Sequence, residues 1–323
     1  MAVKRGGSGG VILTKTSAEP IDIDDLFERP DDRKNKQPVR YQSTNVLVIG
    51  DQATYKTKSL ETIPKEIIDP KTGEFKEARV LHIDADDRSA VIDRAKAPHF
   101  EFIRIPYDPA DNVGTWERYN GLIERLRNKQ YEFNVGILDT LSPLAMTAWD
   151  LSWEEPPIGV GTLRMNKRGE AYHASRYTTD YTNGADMNYE FVKQEMRRII
   201  FALMRRFDYF ICTAHLKNPY FGDAGTAKEK FTADLQGGLK DVLPRMFQEV
   251  YFTVKSRAST DPLVVANQGW CWQTQPANKK YARTCLPIPA NVPMDYGIIM
   301  RNEWQRYVDS PVEAAIEEQE DVS

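Results

Sequence analysis

The residues best suited to chemistry lie together in the segment GDQATYKT, residues 50–57. Gly50 and Lys56 have the separation of the phosphate-binding template Gly-x4-Gly-Lys-Ser/Thr, and Thr57 follows the lysine. In this template, backbone N–H groups of the loop and of the next helix hold the phosphates of a nucleotide. Lys56 would reach the β- and γ-phosphates, and the Thr57 hydroxyl would ligate Mg²⁺. The segment therefore predicts ATP and Mg²⁺ as ligands.

The segment departs from the template at two positions. Tyr55 stands at the second template glycine, and Ala53 stands where a further glycine is common. Glycine is favoured there because it tolerates strained dihedral angles and close approach of a phosphate. An ordinary strand-to-helix turn is the alternative interpretation, and a register shifted to Lys58 and Ser59 lacks a glycine at the right distance. We predict nucleotide contacts along the whole run: Gly50, Asp51, Gln52, Ala53, Thr54, Tyr55, Lys56, Thr57 and Lys58.

Carboxylates and a histidine stand at the ends of three other apolar runs. Asp139 ends VGILD, where an acid would orient Mg²⁺ together with Thr57; an Asp that caps the next helix is the alternative. Three carboxylates, Asp84, Asp86 and Asp87, end HIDADD, and one of them could deprotonate an attacking water. A solvated acidic loop is the alternative there. His215 and Thr213 end ICTAH and would point toward the γ-phosphate, although a lone histidine is more often structural.

The apolar runs themselves predict the fold. Short β-branched runs alternate with segments of helical periodicity, which indicates a parallel sheet with helices on both faces. Ligands then bind at the carboxyl ends of the strands. We predict parallel strands at 45–50, 79–84, 100–106, 133–139 and 208–215, and a late antiparallel pair at 249–256 and 270–275. The predicted helices are 58–63, 87–95, 116–128, 140–149 and 189–206.

Composition and charge limit the class of protein. The 323 residues carry a net charge of −4, which argues against a surface covered with basic residues. The longest apolar runs are strand-sized, so we expect no membrane partner. Cys212, Cys271 and Cys285 lack metal-ligand spacing and indicate free thiols in a reducing cytoplasm. We predict a flexible N-terminal arm (1–43), an ATPase domain (44–300) and an acidic C-terminal tail (301–323).

Taken in order, these motifs resemble those of bacteriophage RecA-like ATPases of the single-strand-annealing recombination type. The resemblance covers about residues 44–295 and rests on GDQATYKT, HIDADD, GILDTLSPL, ICTAHLK, LQGGLKDVLPRMFQEVY and the late TQP…KKYARTCLPIP. It implies a RecA-like P-loop NTPase core, a homo-oligomer with ATP at subunit interfaces, and the host-cell cytoplasm. A single-stranded-DNA-binding protein is a further candidate partner.

The resemblance also implies roles for particular residues. The second strand of RecA-like proteins typically ends in Ile-Asp-Ala-Glu, with the Glu as catalytic base, and Asp86 matches that position with a side chain one methylene shorter. Asp86 is therefore the favoured base and Asp84 the second choice. Arg283, with Lys279 and Lys280 nearby, matches the basic residues that reach a neighbour's γ-phosphate; a solvated basic edge is the alternative. The implied catalytic set is Lys56, Asp86, Asp139, His215 and Arg283.

Loops after the fourth and fifth strands bind single-stranded DNA in RecA-like proteins. The matching stretches here, 163–181 and 216–231, interleave cations that can hold phosphates with aromatic rings that can stack on bases. A polar insertion that contacts a neighbouring subunit is the alternative. The candidate DNA-binding residues are Arg164, Lys167, Arg168, Tyr172, Arg176, Tyr177, Lys217, Tyr220, Phe221, Lys228 and Lys230.

These observations favour an ATP-binding and ATP-hydrolysing DNA recombination protein that promotes annealing or strand pairing. Two alternatives stay open. One is an ATP-driven helicase or packaging motor. The other, motivated by Tyr55, is a P-loop module that binds DNA or proteins without turnover.

Overall fold

A mainly parallel sheet organises the chain and brings the predicted strand ends to one edge. The computed structural model describes residues 44–128, 131–154, 163–165, 171–173, 184–217, 232–235, 239–256, 259–277 and 280–308. All of these belong to the unit that spans residues 41–323. The predicted arm, 1–43, lies outside the described residues.

The strands, in chain order, are β1 (Asn45–Gly50), β2 (Glu66–Ile68), β3 (Phe75–Glu77), β4 (Val80–Asp84), β5 (Phe100–Arg104), β6 (Val135–Asp139), β7 (Leu163–Met165), β8 (Ala171–His173), β9 (Tyr209–Lys217), β10 (Thr232–Ala233), β11 (Glu249–Lys255), β12 (Trp270–Gln273) and β13 (Asn291–Pro293). The helices are α1 (Lys56–Ser59), α2 (Asn112–Arg127), α3 (Leu141–Glu154), α4 (Gly184–Met204), α5 (Leu239–Val242), α6 (Pro262–Ala266), α7 (Gly297–Met300) and α8 (Gln305–Val308). None of these helices is long and apolar enough to cross a membrane.

The strands of the main sheet follow the order β13-β12-β11-β1-β9-β6-β4-β5, with β10 paired to β9 outside this order. The five strands predicted as parallel are parallel, which confirms the α/β fold class. β11 and β12 form the predicted antiparallel pair. This pair continues the main sheet, because β11 also runs parallel to β1.

The position of β9 decides which residues can meet. It lies between β1 and β6, so the ends of those two strands are about 9–10 Å apart, two strand spacings. The register places Gly50 opposite His215 and Asp84 opposite Asp139. The carboxyl ends of β1, β4, β6 and β9 therefore share one edge of the sheet.

Both faces of the sheet are buried, as the continuous apolar strands require. Along β1, Leu47 and Ile49 pack into one core cluster with side chains of α2, α3 and α4. Val46 and Val48 point to the other face and join a second cluster that includes Leu60, Trp272 and Ile299. Side chains of this size contribute roughly 1.5–3 kcal/mol each when fully buried. The core thus fixes the strand ends from both sides.

Three local expectations differ from the structure. The predicted helix at 87–95 is wrong: only a 3-10 turn forms at Ser89–Val91, because the segment buries few apolar side chains and Asp87 adopts a positive φ of 55°. Helix α2 begins earlier than predicted, since the Asp111 side chain accepts a hydrogen bond from Gly114 N–H and caps it. The hairpin β2–β3 and the strand β13 were not predicted.

The C-terminal end of the described chain is packed. Tyr307 of α8 is buried in the second cluster, within the stretch that the sequence assigns to the tail 301–323. Residues 309–323 lie outside the described residues. All three cysteines are free; Cys212 and Cys271 are buried and Cys285 is exposed.

Candidate functional site

The loop between β1 and α1 has a glycine-like backbone at Ala53 and Tyr55, two positions where glycine is expected. Ala53 has φ 58° and Tyr55 has φ 61°, both in the left-handed region. A non-glycine residue in that region costs roughly 1–2 kcal/mol. The Tyr55 ring packs against the second core cluster, and this contact offsets part of the cost. The two substitutions therefore change the side chains of the loop while its backbone turns as a glycine would allow.

Gly50 is required by crowding at the end of β1. A Cβ atom there would lie 1.9 Å from Thr253 Oγ1 and 2.7 Å from Thr54 Oγ1. Contacts that short are sterically impossible without moving β11 or the loop. Thr54 is itself buried and donates a hydrogen bond to the Asp51 carbonyl at 2.8 Å. Gly50 thus lets the loop close tightly against the neighbouring strand.

Lys56 is buried inside this loop. Its Nζ donates hydrogen bonds to the carbonyl oxygens of Gly50 at 2.7 Å and Asp51 at 2.5 Å. Burial lowers the pKa of Lys56 to about 8, although Asp139, Asp51 and Asp86 each favour its charged form. A desolvated cation at the start of a helix favours the binding of an anionic group next to it.

Asp139 at the end of β6 is held by three side chains. Thr57 Oγ1 donates to its Oδ2 at 2.8 Å, and Thr213 Oγ1 donates to its Oδ1. His82 Nε2 lies 3.5 Å from Oδ2. Burial alone would raise the pKa of Asp139, but His82 and the hydrogen bonds from Thr213 and Thr57 hold that pKa below its usual range. Asp139 is therefore a carboxylate at neutral pH.

Thr57 and Asp139 form an oxygen pair that fits Mg²⁺. This ion usually takes one or two protein oxygens and completes its shell with water and substrate phosphates. Among the described residues there is no cluster of three or more His, Cys, Asp or Glu side chains that could hold a metal alone. With these two protein oxygens as ligands, the rest of a Mg²⁺ shell would come from water and from ligand phosphates.

The three carboxylates that end HIDADD have different surroundings. Asp84 is fully buried and accepts the backbone N–H groups of Arg88 at 3.1 Å and Ser89 at 2.8 Å. Asp87 points outward and pairs with Arg104. Of the three, only Asp86 lines the cavity that Lys56, Thr57 and Asp139 also line. Its Oδ2 lies 3.0 Å from Arg88 Nε and 3.5 Å from His215 Nε2.

A cavity of about 370 Å³ joins these groups. It is lined by ten of the predicted site residues: the run 52–58 together with Asp86, Asp139 and His215. Thr213 does not face it, since its buried hydroxyl is bonded to Asp139. The lining consists of the loop residues 52–58 together with Asp86, Arg88, Val91, Asp139, Thr140 and His215.

Sequence reasoning missed Arg88 and His82. Arg88 follows the acidic run and has no motif of its own, so its place in the cavity depends on the turn that Asp84 caps. His82 precedes Asp84 by two residues and shares its face of β4, which is the only sequence signal that it could approach a neighbouring strand end.

Arg283 lies elsewhere. It forms a bridge with Val250, which pairs with Leu47 three residues before the end of β1. Its guanidinium donates to the carbonyl oxygens of Phe247 and, at 3.3 Å, Pro244. Arg283 therefore does not line the cavity of its own chain, and its role toward a neighbouring subunit stays a prediction.

Three of the predicted DNA-binding residues lie in described strands. Lys217 is exposed at the end of β9, and Arg164 of β7 lies opposite Tyr172 of β8 in an antiparallel pair. The others, Lys167, Arg168, Arg176, Tyr177, Tyr220, Phe221, Lys228 and Lys230, lie outside the described residues.

The arrangement can bind an anion beside Lys56, place oxygen ligands for a cation at Thr57 and Asp139, and offer Asp86 as a proton acceptor. These three capabilities meet in one cavity at the carboxyl edge of the sheet. No protein-family model matches the chain, and no curated protein matches it.

Proposed function

We propose that the chain is a P-loop ATPase with a RecA-like core that binds ATP and Mg²⁺ in the cavity around Lys56. The observation that carries this proposal is the hydrogen bond of 2.8 Å between Thr57 and Asp139. It joins the loop after β1 to the acid that ends β6, across an intervening strand. An ordinary turn would not need a buried lysine next to such a pair.

The loop supports nucleotide binding in spite of Tyr55. Because Ala53 and Tyr55 keep positive φ angles, the loop retains the turn that glycines would otherwise supply. Backbone N–H groups and Lys56 would hold the phosphates. Thr57 and Asp139 would hold Mg²⁺, which supplies charge neutralisation at the phosphate oxygens.

Asp86 is the residue we assign to water activation. Its carboxylate accepts a proton from water as the water oxygen bonds to the γ-phosphorus. The bond from that phosphorus to the bridging oxygen breaks, and ADP leaves with the electron pair. General-base catalysis of this kind contributes typically 10²–10⁴-fold in rate. His215, 3.5 Å from Asp86, orients the carboxylate.

DNA recombination is the biological use that we propose for this ATPase. Its support is the composition of 163–181 and 216–231, where cations and aromatic rings alternate. The second of these stretches begins within β9, which also carries His215. The stretch follows His215, which lines the cavity, directly in the sequence.

Phosphate release tests the proposal. The intact protein should hydrolyse ATP with Mg²⁺, faster when single-stranded DNA is present, and Lys56→Ala should abolish both rates. Lys65→Ala, an exposed lysine outside the cavity, is the matched control. Annealing of complementary strands should follow the same pattern. An intact protein that binds no nucleotide would refute the proposal, and nucleotide-driven strand displacement would point to a motor instead.

A further inference from the structure

Arg88 has a fixed backbone and a half-exposed side chain. Its N–H and that of Ser89 are held by the two oxygens of the fully buried Asp84 carboxylate. The side chain beyond is 49% exposed and lines the cavity. Arg88 is thus anchored at one end and can reorient at the other.

Arg88 forms an ion pair with Asp86. Its Nε lies 3.0 Å from Asp86 Oδ2, the same oxygen that His215 Nε2 approaches at 3.5 Å. A guanidinium at this distance occupies space next to the carboxylate oxygen that a water molecule would otherwise fill. Arg88 must therefore move away from this oxygen before an attacking water can contact it.

Arg88 also shares the cavity with the other buried cation. Both side chains line it, and Lys56 is buried. Two cations that line one cavity repel each other until an anion lies between them. A phosphate group with more negative charge than a single carboxylate would relieve that repulsion and attract the guanidinium fork.

We propose that Arg88 recognises the terminal phosphate of a nucleoside triphosphate and, in moving to it, releases Asp86. This inference rests on the proposed function and assigns to Arg88 the distinction between triphosphate and diphosphate. With a diphosphate, Arg88 stays on Asp86, because the group it would bind is missing. The same side chain thus couples recognition of ATP to the freeing of the base.

Nucleotide affinity tests this coupling without turnover. The probes are ribose-labelled fluorescent ADP and a ribose-labelled, non-hydrolysable ATP analogue, titrated into the full chain with Mg²⁺. Arg88→Gln should weaken binding of the triphosphate about 10- to 100-fold, the range of a charge-assisted hydrogen bond, and binding of ADP by less than about threefold. Equal losses for both nucleotides would overturn the inference.

Arg104→Gln is the matched control. Arg104 also pairs with an aspartate of the same turn, Asp87, and is similarly exposed at 61%, but it does not line the cavity. Its replacement should leave both affinities unchanged. The thermal unfolding midpoint of each variant establishes that the chain is folded.

The alternative is that Arg88 favours the triphosphate solely by neutralising the charge of Asp86. A second variant background separates this effect from direct contact between Arg88 and the phosphate. In Asp86→Asn the repulsive carboxylate is gone. If Arg88 contacts the phosphate, Arg88→Gln still weakens triphosphate binding in that background by about tenfold or more. If the loss disappears there, direct recognition is refuted. Failure of the proposed function looks different, since the unaltered protein would then bind neither probe.

Discussion

Replacing Lys56 with methionine should stabilise the ligand-free protein while it removes nucleotide binding. Lys56 is 6% exposed, and burial lowers its pKa from the ordinary 10.5 to about 8. At about 1.4 kcal/mol per pKa unit, keeping the ammonium charged in the folded protein costs about 3 kcal/mol. Methionine removes that cost but leaves the carbonyl groups of Gly50 and Asp51 without this donor, at about 1 kcal/mol each. We expect a net gain of about 1 kcal/mol.

The lowered pKa of Lys56 also predicts how the free energy of unfolding changes with pH. Because the folded pKa lies below the unfolded one, the unfolded chain binds the Lys56 proton more tightly between about pH 8 and pH 10.5. The free energy of unfolding should therefore rise with pH in that window. From the two pKa values, the contribution of Lys56 rises by about 2 kcal/mol between about pH 7 and pH 9.5. The methionine variant should lack this rise.

Urea unfolding, followed by tryptophan fluorescence at the two pH values, measures both effects. The difference between the unaltered protein and Lys56→Met isolates Lys56 from the other titrating groups. Lys65→Met, at an exposed lysine outside the cavity, is the control and should match the unaltered protein in its pH dependence. If Lys56→Met is no more stable at pH 7 and keeps the same rise with pH, the lysine is not desolvated as described.

Three further predictions concern the loop, the base and the metal. Ala53→Gly should stabilise the protein by up to about 1 kcal/mol, because it relieves a positive φ. The control Ala95→Gly, at an exposed alanine without a positive φ, should cost about 0.5–1 kcal/mol. Equal losses in the urea midpoints of the two variants would contradict this prediction. Asp86→Asn should retain nucleotide binding and slow phosphate release by about 10²-fold or more, while Asp87→Asn, outside the cavity, should change neither. Thr57→Val should raise the Mg²⁺ concentration for half-maximal nucleotide binding about tenfold; an unchanged titration would remove Thr57 from the metal site.

Much of the cavity could be predicted because its residues end buried parallel strands. Short, mainly apolar runs predicted β1, β4, β6 and β9, and parallel strands of one sheet end at the same edge. Lys56, Asp139 and His215 followed from those ends. Which of these ends lie side by side depends in addition on the order of the strands in the sheet.

The remainder depended on interactions that a single sequence does not display. The insertion of β9 between β1 and β6 is a property of the sheet order, and no local pattern encodes it. The separate surroundings of Asp84, Asp86 and Asp87 arise because one carboxylate turns inward to cap a short turn. Arg88 reaches the cavity through that turn. The same turn replaces the helix expected at 87–95.

The central strand β9 has one more consequence. It is hydrogen-bonded in register to β1 on one side and to β6 on the other, and it presents Thr213 to Asp139 and His215 to Asp86. A slip of one residue, about 3.3 Å, would break both contacts together. The sheet therefore holds these side chains at fixed positions. Any rearrangement on ligand binding must come from the loop after β1 and from long side chains at the edge of the cavity.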